Sequence, residues 1–162
     1  MFTVDKLSNK NYEPWDRFVK NANNGTIFHL RKFFSYHPKD RFIDHSIEFY
    51  KNNSLFSVFP AAELMTNKKR LLVSHPGATV GSFVVSEYLS ISDSFKLIET
   101  LLKYAKENKF DGIRLTLPPI FYQNRASNYI DYSLLKHGFK YCLLYTSPRP
   151  RDATLSRMPS SA

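Results

Sequence analysis

Two β-rich runs, Ser46-Ile47-Glu48-Phe49-Tyr50 and Leu55-Phe56-Ser57-Val58-Phe59, flank the polar tetrapeptide Lys51-Asn52-Asn53-Ser54. Aromatic and branched residues suit a pleated strand, and asparagine tolerates the left-handed backbone of a tight connection, so the segment predicts a β-hairpin. Pro60 marks the end of its second strand. Toward the C-terminus, Leu71-Leu72-Val73 gives another strand after a turn at Lys68-Lys69-Arg70. Ser74-His75-Pro76-Gly77 then leaves the sheet, and Gly81-Ser82-Phe83-Val84-Val85 returns to extended structure. Ser92-Asp93-Ser94 starts the longest helix, which ends near Asn108. Phe95, Ile98, Leu101, Leu102 and Ala105 form its apolar stripe, with Lys96, Glu99, Lys103 and Lys106 on the wet face. Asp111-Gly112 leads into a strand from Ile113 to Leu117, which Pro118-Pro119 breaks. Asp131 to His137 is a short helix capped by Gly138, and Phe139-Lys140-Tyr141 begins a strand.

Before the hairpin, Phe2-Thr3-Val4 reads as a short first strand. Glu13-Pro14-Trp15 opens a helix, with an acid and a proline in its first turn. Trp15, Phe18, Val19 and Ala22 fall on one face, and Gly25 of Asn23-Asn24-Gly25 is read as a left-handed cap. Thr26-Ile27-Phe28 reads as extended, and a short helix follows at Leu30 to Tyr36, stopped by His37-Pro38. The predicted fold class is α+β, a mixed and mostly antiparallel sheet with flanking helices.

The last 21 residues differ in character. Cys-Leu-Leu-Tyr-Thr-Ser-Pro from Cys142, and Ser-Arg-Met-Pro-Ser-Ser-Ala to Ala162, resemble transposon-adapter DNA translated in one frame. That resemblance implies a domain at 1–141, incomplete at its C-terminal end, followed by a non-native disordered tail at 142–162. A natural disordered Ser/Arg/Pro terminus is the alternative. Without Arg149, Arg151, Asp152 and Arg157, the 23 basic and 14 acidic residues become 20 and 13, a formal charge of +7.

This charge attracts anions, but the basic residues are dispersed rather than striped, so no DNA partner is predicted. Cys142, the sole cysteine, lies in the suspect tail, so the rest holds no disulfide, thiolate metal site or Cys nucleophile. No apolar run approaches the ~18 residues of a membrane span, and no signal peptide is visible, which predicts a soluble, cytoplasmic protein.

The order of elements resembles that of an acyl-CoA N-acyltransferase domain of the GNAT type. Particular words go further. Trp15-Asp16-Arg17-Phe18-Val19, Asn24-Gly25-Thr26-Ile27-Phe28-His29-Leu30-Arg31-Lys32-Phe33, Tyr36-His37-Pro38 and Arg41-Phe42-Ile43-Asp44 resemble the opening of FemAB-like acyltransferases. So do Phe59-Pro60-Ala61, the segment from Ser74 to Ser82, Pro118-Pro119-Ile120-Phe121-Tyr122-Gln123 and Leu135-Lys136-His137-Gly138-Phe139. This chain departs from that family at Gly81-Ser82, where two glycines are common, and at Gln123, where histidine is frequent.

The resemblance implies transfer of an acyl or aminoacyl group onto an amine, the acceptor being an amino sugar of a cell-envelope polysaccharide precursor. It also implies an acyl-CoA or aminoacyl-tRNA as donor co-substrate, no tightly bound cofactor, and about the first half of a two-lobed enzyme, inactive alone. A sugar-nucleotide is a further candidate acceptor. The sequence does not set the oligomeric state.

Among residues that could carry chemistry, His75 is the candidate general base, since imidazole titrates near neutrality. Ser74 and Gly77 flank it in a turn where backbone N–H groups can approach a ligand. Arg31 and Lys32 are candidates for a phosphate or carboxylate of the substrate, and Tyr122 and Gln123 for a sugar. The competing reading makes His75 a turn residue, Arg31 and Lys32 solvated surface, and Tyr122 core. Acyl transfer to a neutral amine depends mainly on positioning and an oxyanion donor, so a dedicated base is not obligatory. His29, His37 and His45 match no zinc spacing, and no Gly-x-Ser-x-Gly elbow is present. A different class of function remains open: a non-catalytic module binding an anionic sugar-nucleotide or RNA through Arg31, Lys32 and His75.

Overall fold

The computed structural model describes residues 2–8, 12–38 and 41–142. The proposed tail beyond Cys142 lies outside them. The hairpin that anchors the sequence reading is present as β3 (Ile47–Lys51) and β4 (Ser54–Phe59). Asn52 and Asn53 both have positive φ, 50° and 63°, the backbone of a twist-compatible two-residue turn. The first strand, β1 (Phe2–Lys6), pairs antiparallel with β3.

The hairpin is longer than its sequence signal. β2 (Ile43–Asp44) pairs with β5 (Ala61–Thr66), and the register Ile43↔Glu63, Asp44↔Ala62 continues into Ile47↔Phe59. Pro60 therefore interrupts the strand without ending it. His45 N–H still donates to Ala61 O at 2.9 Å, and the missing proline donor costs one ladder bond. The turn after β5 is Asn67-Lys68, at φ 47° and 63°, so Lys69 and Arg70 already belong to β6 (Lys69–Ser74).

The returning segment is strand only at β7 (Val84–Val85), which pairs with β4 at Ser57↔Val85 and Val58↔Val84. β8 is short, Gly112–Arg114, and runs parallel to β6. The two four-stranded sheets, β1-β3-β4-β7 and β2-β5-β6-β8, share the bent strands that cross at Pro60.

Helices cover both faces, as alternation along the strands requires. On one face α1 (Glu13–Lys20) sets Trp15 and Val19 against Val58 and Val84. On the other, α3 (Ile91–Glu107) and α4 (Tyr129–Lys136) pack Leu97, Ile98, Leu101 and Leu134 against Phe49, Phe59, Phe83 and Val85. Val58 and Phe59 point to opposite cores, and so do Val84 and Val85. The buried stripe of α3 is rotated from its sequence reading toward Leu97 and Tyr104, which pack into the core beneath the sheet, and Ser90, not Ser92, caps the helix by accepting from Asp93 N–H at 3.0 Å.

Three further expectations are corrected. Gly25 does not have positive φ. It is instead forced by close approach, since a Cβ there would lie 1.8 Å from Val19 O. Ile27–His29 is a 3-10 turn capped by Thr26, followed by α2 at Arg31–Phe34. Phe139–Tyr141 is not a strand: Gly138 at φ 87° reverses the chain, Phe139 N–H bonds Leu134 O at 3.1 Å, and Phe139 packs on the core.

A polar cluster ties β5 to α3. Glu63 accepts from His45 Nδ1 at 2.8 Å and from Arg70 Nε at 2.8 Å, while Tyr104 hydroxyl donates to His45 Nε2 at 2.7 Å. The Arg70 hydrogen bond, above all, holds the Glu63 carboxyl at about 2.

Candidate functional site: a split between parallel strands

β6 and β8 stay in register from Leu71↔Gly112 to Val73↔Arg114 and then part. At the apex, Thr116 N–H donates to Ser74 Oγ at 3.0 Å instead of to a strand carbonyl. Thr116 O accepts from Gly81 N–H at 2.8 Å, so the returning loop closes the near end. Beyond it one arm becomes β7 and stays on β4. The other runs through Leu117, Pro118 and Pro119 to the 3-10 turn Ile120–Tyr122.

Between the arms lies a cleft of about 240 Å³, lined among others by Ser82, Phe83, Val85, Leu117, Gln123 and Arg125. It opens at the C-terminal ends of adjacent parallel strands, the general location of ligand crevices in open sheets with parallel strands. Ser82 is 1% exposed and its Oγ has no hydrogen-bond partner among the described residues. A χ1 rotation can turn that hydroxyl toward a ligand.

Asn23 and Asn24, read from sequence only as a helix end, join the two arms. Asn24 Nδ2 donates to Phe83 O at 2.8 Å, and its Oδ1 accepts from Val85 N–H at 2.9 Å. Asn23 Nδ2 donates to Arg125 O at 2.8 Å, and its Oδ1 accepts from Arg125 N–H at 2.7 Å. The backbone adds Asn23 N–H to Val85 O at 2.8 Å and Asn124 N–H to Asn23 O at 2.9 Å. Each side-chain amide thus acts as one residue of an inserted strand. The only sequence signal was a pair of adjacent amides, which turns also favour.

The candidates read from sequence divide into two groups. Ser74 holds the apex. His75 turns away from the cleft into an aromatic box, 4.1 Å from the Phe34 ring and 5.1 Å from Phe42. Burial pushes His75 down to about 4, so it is neutral at pH 7. Its Nδ1 accepts from Gly77 N–H at 3.2 Å, which leaves the ring proton on Nε2. Gly77 O accepts from His37 Nε2 at 3.0 Å, and a Cβ on Gly77 would lie 2.4 Å from that nitrogen.

Arg31 is 7% exposed and committed to structure. Its guanidinium pairs with Asp44 and donates to Ser46 Oγ at 2.7 Å, above the Trp15 and Phe34 rings. The Asp44 carboxyl is held below its usual range although burial alone would raise it, because Arg31 and Ser46 outweigh desolvation. Lys32 is exposed on α2. Gln123 lines the cleft and caps Ser127 N–H through Oε1 at 2.7 Å, whereas Tyr122 sits outside it, 42% exposed.

Among the described residues no helix is long and apolar enough to cross a membrane, and no cluster of three or more His, Cys, Asp or Glu is placed to hold a metal.

Comparison with solved structures places this architecture. The chain is similar to a ribosomal-protein-alanine N-acetyltransferase from Brucella melitensis biovar Abortus at TM-score 0.58 and 12% identity, covering 91% of this chain and 98% of that one. An aminoglycoside acetyltransferase from an uncultured soil metagenomic sample gives 0.58 at 10% identity, with 92% and 98% covered. A GNAT family acetyltransferase from Staphylococcus aureus gives 0.54 at 11% identity, with 91% and 98% covered. The fold is the GNAT fold. No protein-family model and no curated protein matches the sequence.

Proposed function

We propose that the chain serves N-acyl transfer, with the split between β7 and residues 115–118 as the donor cleft. The observation that carries this is the opening itself: adjacent parallel strands parted at Ser74 and Thr116, in a GNAT fold, with a cleft at their C-terminal ends. The amine nitrogen attacks the donor's thioester carbonyl, the C–N bond forms, the C–S bond breaks, and the amine proton leaves with the thiolate. Positioning supplies most of the effect.

An acyl-CoA is taken as the donor over an aminoacyl-tRNA, because the similar structures are acetyltransferases. An amino sugar of an envelope polysaccharide precursor is the acceptor we favour, on the FemAB-like words of the sequence, with Gln123 at the cleft and Tyr122 and Lys32 as outer contacts.

We assign His75 to the turn and not to proton transfer, since its one acceptor nitrogen is taken by Gly77 N–H and burial between phenyl rings makes it a weak base. Ser74, Gly77 and Arg31 likewise support the site from behind. The anion-binding alternative loses ground for the same reason: Arg31 is already paired with Asp44, and His75 carries no charge at pH 7.

The test presents this chain with acetyl-CoA and glucosamine. Saturable acetyl-CoA binding and glucosamine-dependent thiol release are expected. Absence of both, or tight RNA binding with steep salt dependence instead, overturns the reading.

A further inference from the structure

A peptide-like ligand entering a sheet split gains affinity by adding to a free strand edge, hydrogen-bonding to outward-facing backbone groups. On β7 those groups are Phe83 C=O and Val85 N–H, which face away from β4 and line the cleft. Neither is free: one amide side chain, Asn24, holds both, at 2.8 and 2.9 Å, and is 6% exposed. The neighbouring Asn23 keeps the loop in place independently, through Val85 O on one arm and Asn124 and Arg125 on the other. Rotation of Asn24 about χ1 and χ2 would therefore release Phe83 O and Val85 N–H while Asn23 N–H stays on Val85 O.

We propose that Asn24 is a displaceable latch on the donor edge, occupying the two backbone groups that an extended, amide-bearing donor arm must take over. The inference rests on the donor-cleft reading and deepens it. Binding becomes an exchange, in which ligand amides replace the Asn24 amide at equal numbers of hydrogen bonds. A ligand that cannot supply a matching donor and acceptor leaves Phe83 O or Val85 N–H unpaired in a buried place, so the latch also selects for such an arm. The specificity-determining residue is Asn24, while Asn23 is a positioning residue.

Removing the latch leaves the edge open before the ligand arrives, so the ligand's hydrogen bonds become net gains. Titration calorimetry with acetyl-CoA on the full chain is expected to show Asn24→Ala binding about tenfold tighter than wild type. The same variant should unfold at a lower midpoint without ligand. Should Asn24→Ala fail to fold, Asn24→Ser, too short to span both groups, replaces it with the same expected direction. Val85 amide exchange gives an independent reading: slow in wild type, fast in the variant alone, and slow again with acetyl-CoA. Equal or weaker binding by the variants overturns the latch while leaving the donor cleft intact. Failure of wild type and variants alike to bind acetyl-CoA overturns both.

Discussion

Lowering the pH from 7 to 5 should destabilise this fold through its buried histidines. His29 and His75 are both pushed from 6.5 to about 4 by burial. Between those values the unfolded chain binds protons that the folded chain excludes, so unfolding becomes easier as pH falls. The full contribution is present above 6.5 and is lost on descent toward 4. At pH 5 the unfolded imidazole is almost fully protonated and the folded one almost wholly neutral. With about 1.4 kcal/mol per pH unit over 1.5 units, each histidine costs about 2 kcal/mol, and the pair about 4 kcal/mol. His45 shifts in the same direction, also chiefly through burial.

Glu63, at about 2, gives up its contribution only as pH falls below its ordinary 4.5, which separates the two windows. Urea unfolding followed by the fluorescence of Trp15, the sole and fully buried tryptophan, measures the change. His75→Gln cannot be protonated and should remove about 2 kcal/mol of the pH dependence. Equal stability at pH 7 and 5, or an unaltered pH dependence in His75→Gln, refutes the burial argument.

Two glycine substitutions should rank by what the new Cβ meets. Gly25→Ala meets Val19 backbone at 1.8 Å and should cost at least about 3 kcal/mol, whereas Gly138→Ala meets open space at φ 87° and should cost about 1 kcal/mol. Thermal unfolding by circular dichroism gives the order, and a reversed order is inconsistent with the close approach. Glu63→Gln removes the carboxylate shared by Arg70 and His45, while Arg70 keeps its bond to Asn108 O, and should cost about 1 kcal/mol in urea at pH 7. A change under about 0.5 kcal/mol would show that the cluster is not coupled to folding.

The antiparallel frame was legible because its signals are local. The Asn52-Asn53 turn, the proline in the first turn of α1 and the Gly138 cap of α4 need only neighbouring residues. What escaped was non-local. β5 carries Glu63, Met65 and Thr66, a mixed pattern that becomes a strand only because β2 and β6 flank it. The α3 stripe was misphased because Leu97 and Tyr104 are buried by partners on the sheet that the helix sequence alone does not reveal. At the site, Ser74 and Gly77 were legible as a turn. The amide bridge of Asn23 and Asn24 was not, since its partners at Phe83, Val85 and Arg125 are 59 to 102 residues away.

Pro118 and Pro119 follow directly on the last residues of the diverging arm, and neither has an N–H to give. A ladder that started to zip from Thr116 toward β7 would run out of donors within two residues. The gap is therefore written into covalent structure, and it persists however well the surrounding side chains pack. Mutational drift in the lining can change what enters without any risk that the doorway seals itself.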